Sequence, residues 1–567
     1  MWQPTNRTVM RLLWAMIVAC VIALAGIAGS IPAKASDGFA GSDDTVNATQ
    51  AAIREALSTP DESDSGLQVL ATFYQSRDFK PVWSGSDEAR SRADLVRETL
   101  EHAYEQGLRA RDYTNPLSQW TGSPETGTDA ADFDIAMTRS LFRYAHDVRL
   151  GRVAPNDVYK DVSLPPERLD AAAALASALA NDAMKKFVTD LPPQHPGYRG
   201  LAKALAIYRD IAEQGGWPKV PAGIALDGKD RRQALLAARL SFEDSDLAEA
   251  IDPSAADLRI ALLRFQRRMG LDDNGGLDTD TLAALNVSAA YRVKEIAANM
   301  ERWRWVPRGF ERDYIYVNVP DESVDYVHNR TSLLHSRVVV GMKASPTPIM
   351  RTAVEAIVVN PPWDIPDDIA AKKLLPKLRQ DASYLASRDM VLADGPSDDP
   401  HGTKIDWHHV TEDNIPYQIR QNPGSDNALG MLMLDSPNTF GVYLHDTPHK
   451  ELFRMAMREK SNGCVRVEES RALASLALQS ESDDEDLDAM IASGKTERVP
   501  LSAPLPVYML YWTAIADANG GMQFRPDRYD RDPPLIARLR GDPPPKETRP
   551  QKDSPASGSK LATRSER

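Results

Sequence analysis

From about Asn47 to Leu240 apolar residues recur at threes and fours, as in Phe142, Ala145, Val148 and Leu150, which is the period of amphipathic helices packed on one another. The runs Gly151-Arg152-Val153-Ala154-Pro155 and Gly215-Gly216-Trp217-Pro218 cut this stretch into separate helices. Residues 49–250 are therefore expected to form a helical scaffold. Tyr74, Trp83 and Trp217 read as packing residues within it, because large aromatics dominate core energetics. Residues 253–290 read as a compact unit of their own. Leu258, Ala261, Leu262 and Phe265 make one helix face, Asn274-Gly275-Gly276 turns the chain, and Thr279 to Leu285 starts another helix.

After Met300-Glu301-Arg302-Trp303-Arg304-Trp305 the period drops to two. Tyr314 to Val319, Arg337 to Gly341, Ala356 to Asn360, a region from Gly430 through Leu444, and Pro506 to Trp512 all read as strands. Strand follows strand through short turns, so residues 300–530 are expected to be a mainly antiparallel sheet or sandwich. Between Asp367 and Asp426 an insertion opens with a helical pattern, Ile369 to Leu378, and then turns polar. Its size makes it a candidate cap over a site. The whole is a multidomain α+β chain.

The ends differ in composition. Arg7 and Arg11 precede an apolar run, Leu12 to Ile27, and Ala33-Lys34-Ala35 offers a small-residue cleavage site, so residues 1–35 read as an export signal or an uncleaved N-terminal anchor. Residues 36–48 and 541–567, rich in small, polar and charged residues, read as disordered. The net charge of −14 argues against a nucleic-acid partner. Export leaves the membrane as a partner only through an uncleaved N-terminal segment.

Of the two cysteines, Cys20 lies in the apolar run and Cys464 stands in Ser461-Asn462-Gly463-Cys464-Val465-Arg466. Exported proteins use cysteines in pairs, so a lone thiol between a glycine and a valine-arginine asks for a chemical explanation. His445 lies 19 residues upstream at the end of the strand-like run Gly441 to Leu444. An imidazole in reach of a thiol can take its proton and make the reactive thiolate. Gly463 lets main-chain N–H groups point at a developing oxyanion, and Arg466 is placed to grip a substrate carboxylate. Against this, a lone cysteine is most often a small buried hydrophobe and a lone histidine a satisfied polar residue. His401, His408 and His409 lack neighbouring ligands for a metal, and the carboxylates of Glu481 to Asp486 read as a solvated acidic loop.

The run from Gly441 to Glu469 resembles the L,D-transpeptidase family, whose signature is a strand-end histidine followed by Ser-His-Gly-Cys and an arginine or asparagine two residues on. Thr347-Pro348, Asn360-Pro361-Pro362-Trp363, Pro423-Gly424 and Asn427-Ala428-Leu429-Gly430 resemble that family's larger periplasmic members. So does the helical half with Phe73-Tyr74 through Trp83. Residues 253–290 resemble the small three-helix peptidoglycan-binding domain of type 1. The resemblance implies a periplasmic enzyme with no cofactor or metal. Tetrapeptide stems of peptidoglycan would be donor and acceptor, and other cell-wall enzymes are further candidate partners. It implies catalysis by Cys464, His445 and the Gly463 turn, with Arg466, Tyr443, Ser461 and Asn462 toward substrate, and Ser461 also as the residue that orients or caps the catalytic loop. Asn462 stands where the family usually has histidine. An L,D-carboxypeptidase and a wall-binding scaffold with an inactive C-terminal domain stay open as alternatives.

Overall fold

The computed structural model describes residues 42–58, 65–125, 127–478 and 484–541. Its first layer is helical. Helices Ser42–Ala56, Ser65–Ser76, Asp87–Glu101, Gly127–Leu150 and Ala171–Ala180 close one core around Tyr74, Trp83, Phe133, Met137 and Leu141. The junction Val82-Trp83-Ser84 is pinned by the buried Asp134 carboxylate. It accepts from the N–H groups of Val82 and Trp83 at 2.8 Å each, and from the hydroxyls of Tyr74 at 2.8 Å and Ser84 at 3.1 Å. Tyr74 and Trp83 are core residues, whereas Trp217 is half-buried with the Arg239 guanidinium 4.0 Å above its ring. The first helix reaches back to Ser42, into residues expected to be disordered, because Thr49 and Ile53 bury against the long helix Gly127–Leu150.

A second core gathers Pro196–Glu213, Gln233–Leu240, Ala255–Met269, Thr279–Leu285 and the face of Ala289–Arg304 that carries Val293, Ile296, Met300 and Trp303. Within it Ser254 and Asp257 form a reciprocal capping box, Gly270 ends the helix at φ +63°, and buried Gln266 ties the glycine turn through Gly275 N–H (2.8 Å) and Gly276 C=O (2.9 Å). The expected self-contained unit at 253–290 is corrected here. Leu258, Leu262, Phe265 and Leu285 share their core with Tyr198, Leu201 and Leu205 on one side and with Ala514, Ala516, Met522 and Phe524 on the other. A 38-residue segment has too little apolar surface to close a core alone. The residues read as one scaffold, 49–250, accordingly divide between two cores.

The β-rich half is one sheet that closes on itself, not a sandwich. We number its strands β1 (Asp313–Asn318), β2 (Ser323–His328), β3 (Thr331–Gly341), β4 (Ile349–Val359), β5 (Leu432–Asp435), β6 (Leu444–His445), β7 (Val465–Val467) and β8 (Glu497–Leu510). The order β4-β8-β1-β2-β3-β7-β6-β5 returns to β4 through the antiparallel pairing of Ala356 with Asp435 and Val359 with Leu432. Two joints, β8–β1 and β6–β7, are parallel. Ile315, Val317, Val338, Val340, Leu432, Leu444, Val465, Val467 and Val507 fill the interior.

The insertion has a core of its own, built from Ile365, Leu374, Leu375, Leu378, Leu385, Met390, Trp407 and Ile419. It starts at Trp363, because Trp363–Asp364 pairs with Ile419–Gln421, and Met390–Leu392 extends that small sheet. A helix occupies Asp484–Ala492, where part of the acidic run was expected to be a loop; Leu487 anchors it in the barrel core. Residues 1–35 and all but Gly541 of the expected disordered tail lie outside the described residues. Among the described residues no helix is long and apolar enough to cross a membrane.

Candidate active site

The interval between His445 and Cys464 has a structural cause. β6 and β7 are parallel neighbours, and parallel neighbours need a crossover of a dozen or more residues. Here it holds the 3₁₀ turn Lys450–Arg454 and the strand Glu459–Ser461, which pairs with the end of β3. The register sets Leu444 beside Val465 and His445 beside Arg466. Since strand side chains alternate, Leu444, Val465 and Val467 point into the barrel, while Tyr443, His445, Cys464 and Arg466 share its outer face. Four separated residues are thereby gathered on one surface.

The loop before β7 is shaped by two hydroxyls. Ser461 is buried; its Oγ donates to the Cys464 carbonyl at 2.6 Å and accepts from Gly463 N–H at 3.1 Å. Thr347, also buried, accepts from Gly341 N–H at 2.9 Å and donates to the Gly463 carbonyl at 2.8 Å. Gly463 has φ +118°, a conformation that residues with a Cβ rarely adopt. Because the peptide is planar and trans, holding the Gly463 carbonyl against Thr347 turns the Cys464 N–H the opposite way. The Gly463 N–H, expected to face a substrate, is already bound to Ser461. Ser461, expected toward substrate or as the orienter or cap of this loop, is turned into the loop it braces.

His445 is 4 % exposed, and its Nδ1 lies 2.5 Å from the Asp446 carbonyl oxygen. A carbonyl only accepts, so Nδ1 carries the proton and Nε2 keeps its lone pair. Burial first, then the Arg466 charge, lowers the imidazole pKa from its ordinary 6.5 to about 4. Asp446 is the fixed point behind it. Its carboxylate accepts from Met431 N–H at 3.0 Å, Ser470 Oγ at 3.0 Å and Lys450 Nζ at 2.5 Å. Gly430 makes room for that carboxylate, since a Cβ there, at φ +64°, would fall 2.4 Å from Asp446 Oδ2.

Cys464 is partly exposed, and its Sγ donates to the Gly441 carbonyl at 3.8 Å. No direct hydrogen bond joins it to His445. Burial raises the thiol pKa, opposed by the Tyr443 N–H and the Arg466 charge, so thiol and imidazole rest as a neutral pair. Arg466 is half-buried and its Nε has no hydrogen-bond partner; among the described residues it forms no ion pair. Burial lowers its pKa, opposed by the thiol and then by the Glu451 charge. Tyr443 packs edge-on against His445 at 5.8 Å between ring centres, and burial, Cys464 and Asp364 push its phenol up. Asn462 is exposed and accepts a 2.7 Å hydrogen bond from Lys373 of the insertion. The insertion therefore touches the site directly at Asn462 through Lys373, and its Asp364 acts on the Tyr443 phenol through its charge.

Comparison with known proteins shows what this arrangement is similar to. Residues 312–484 match the L,D-transpeptidase catalytic domain. Residues 68–205 match the scaffold domain. A Haemophilus influenzae protein named "Putative L,D-transpeptidase" is 35% identical over 240 residues, which is 42% of this chain and 48% of that protein. The chain thus aligns with about half the length of that curated relative. The stretch matched by the transpeptidase model contains the whole of β1–β7, the insertion and the Cys464 loop, whereas β8, which closes the barrel, follows it. Asp446, Gly430, Thr347 and Lys373 escaped sequence reasoning as site-shaping residues. Thr347 carried a signal only through the resemblance of Thr347-Pro348, and Lys373 carried none.

Proposed function

We propose that this chain is an exported L,D-transpeptidase that joins peptidoglycan stems by 3-3 cross-links through a thioester on Cys464. The observation that carries the reading is the outer face of the β6–β7 pair, where Cys464, His445, Arg466 and Tyr443 lie together in a domain matched by that family's model. Sγ attacks the carbonyl carbon of the third stem residue, diaminopimelate, as its proton passes to His445 Nε2. The oxyanion faces the Cys464 N–H, the donor the loop leaves open. A well-placed donor of this kind contributes about 3–4 kcal/mol to the transition state. Collapse breaks the amide bond to the terminal D-alanine, whose amine takes the proton from His445. The side-chain amine of a second stem then attacks the thioester; its proton returns through His445 to the departing Sγ. Arg466 holds a stem carboxylate and Tyr443 orients the chain beside the thiol. Residues 253–290 are the wall-contacting part, tied to the barrel through the core they share with Ala514–Phe524.

Mass spectrometry of tetrapeptide muropeptides after incubation with the purified chain tests the reading. Dimers lighter than two monomers by one D-alanine are expected with wild type and absent with Cys464→Ala, a loss above about 10⁴-fold. Tripeptide alone would make the acceptor water and the enzyme a carboxypeptidase. No turnover by wild type, or dimers from Cys464→Ala, overturns the proposal.

A further inference from the structure

The bond that closes the insertion onto the nucleophile loop has no part in the chemistry above. Lys373 Nζ reaches Asn462 Oδ1 at 2.7 Å across 89 residues of sequence, two positions from Cys464. The lysine is delivered by a wide turn of helix. Between the short α-helical pieces Asp367–Ile369 and Leu375–Leu378, residues Ala370–Leu374 form a π-turn. Pro376 lacks the N–H that would bond the Lys372 carbonyl in an α-helix, which favours such a local widening. The buried positions are Ala370, Ala371, Leu374, Leu375 and Leu378, a spacing of four that a regular α-helix would rotate off by about 40° per step. With that face locked into the insertion's own core, Lys372 and Lys373 stand outward. Lys372 faces Asp368 at 4.0 Å, and Lys373 faces Asn462. A packed body, rather than a loose tip, holds the ammonium over the loop.

Asn462 offers Lys373 a neutral acceptor. A carboxylate is a stronger one, because its full negative charge adds Coulomb attraction to the ammonium that a neutral amide oxygen does not offer. We propose that Lys373 is a carboxylate-responsive positioning residue: its bond to Asn462 holds the insertion across Cys464, and an anionic peptide releases it by offering the lysine a better acceptor. A peptide without that carboxylate leaves the bond in place. The proposal rests on the transpeptidase reading for its substrate. The bond itself can be tested without turnover.

The full chain and its Lys373→Met, Asn462→Ala and doubly substituted variants are treated with the neutral reagent iodoacetamide, and the Cys464 peptide is followed by mass spectrometry. Each single substitution is expected to raise the alkylation rate about three- to tenfold, the double no further, and Lys373→Arg to restore the slow rate. In turnover, KM for tetrapeptide muropeptide with free carboxyls should lie below that for the amidated form in wild type. Lys373→Met should narrow the difference to the part that Arg466 supplies, with kcat nearly unchanged. Unchanged alkylation in Lys373→Met, additive singles, or an intact preference for free carboxyls overturns the proposal. A wild type that turns over neither peptide removes the transpeptidase reading, and the alkylation series still decides the bond.

Discussion

Arg302 and Arg466 are guanidiniums withdrawn from water in the same half of the molecule, and they are held in opposite ways. Arg302, 2 % exposed, pairs with Asp532 at 2.6 Å and reaches Tyr159 at 3.2 Å and Thr513 at 3.2 Å. Burial pulls its pKa down, but Tyr159 and Asp532 outweigh that and the net shift is upward. Among the described residues Arg466 forms no ion pair, and burial leaves its pKa lowered. One charge is spent holding helix Ala289–Arg304 to the barrel and to the helix Asp532–Arg540. The other is held ready beside a thiol without a counterion. The difference separates a structural ion pair from a site that a substrate carboxylate would complete.

The comparison is broken most forcefully at Arg302. Arg302→Met should leave Asp532 buried without its partner and cost about 3–5 kcal/mol in urea denaturation, with Asp532→Leu in the same chain recovering most of it. A loss below about 1 kcal/mol would mean that the seam is not held by this pair. His445 comes next. With its folded pKa at about 4, the imidazole stays a free base down to that pH, so the acid limb of kcat/KM should fall near pH 4 rather than 6.5. That displacement corresponds to about 3 kcal/mol. Because the unfolded histidine binds its proton first, its contribution to stability is complete above pH 6.5 and is lost as the pH falls toward 4. A midpoint between 6 and 7 in the rate profile would remove His445, as buried here, from the role of base.

Arg466→Met sharpens the contrast from the other side. No carboxylate is left unpaired, so stability should change by less than about 1 kcal/mol. The kcat/KM for a tetrapeptide donor should drop about 10- to 100-fold, the worth of a charge-assisted contact. Denaturation and steady-state kinetics on one preparation give both numbers. Destabilisation comparable to that of Arg302→Met would erase the distinction.

What could be read without the structure follows from the reach of each signal. The helical period exposed the helices of 196–300, yet their partners Ala514, Ala516, Met522 and Phe524 lie more than 200 residues on, beyond any local pattern. Cys464 and His445 stood out by chemistry and spacing. The reason for the spacing did not, because β6 and β7 are only two and three residues long, too short for alternation to reveal a parallel joint. Closure of the barrel was hidden by sequence distance: it depends on β4 meeting β5 across the insertion. The Lys373–Asn462 contact joins two polar exposed residues, and polar exposed residues carry no periodicity. Ser461 was legible as part of the motif, with its hydroxyl open between the substrate and the loop; the direction it faces is fixed by its bonds to Cys464 and Gly463.

That direction leads to the finest test of how the reactive loop is held. Ser461→Ala removes the donor to the Cys464 carbonyl and the acceptor for Gly463 N–H in one change, at a buried position where water replaces neither bond well. The expected cost is about 1–2 kcal/mol in denaturation. If Ser461 bound substrate, its loss would appear as a raised KM with kcat intact. If it braces the loop, freeing the Gly463 N–H and loosening the Gly463–Cys464 peptide should lower kcat with KM nearly constant, since the Cys464 N–H is then poorly aimed at an oxyanion that exists only in the transition state. Ser461→Thr, which keeps the hydroxyl, should recover part of kcat. A change confined to KM would place the hydroxyl in the substrate site and leave Thr347 as the sole brace of the turn.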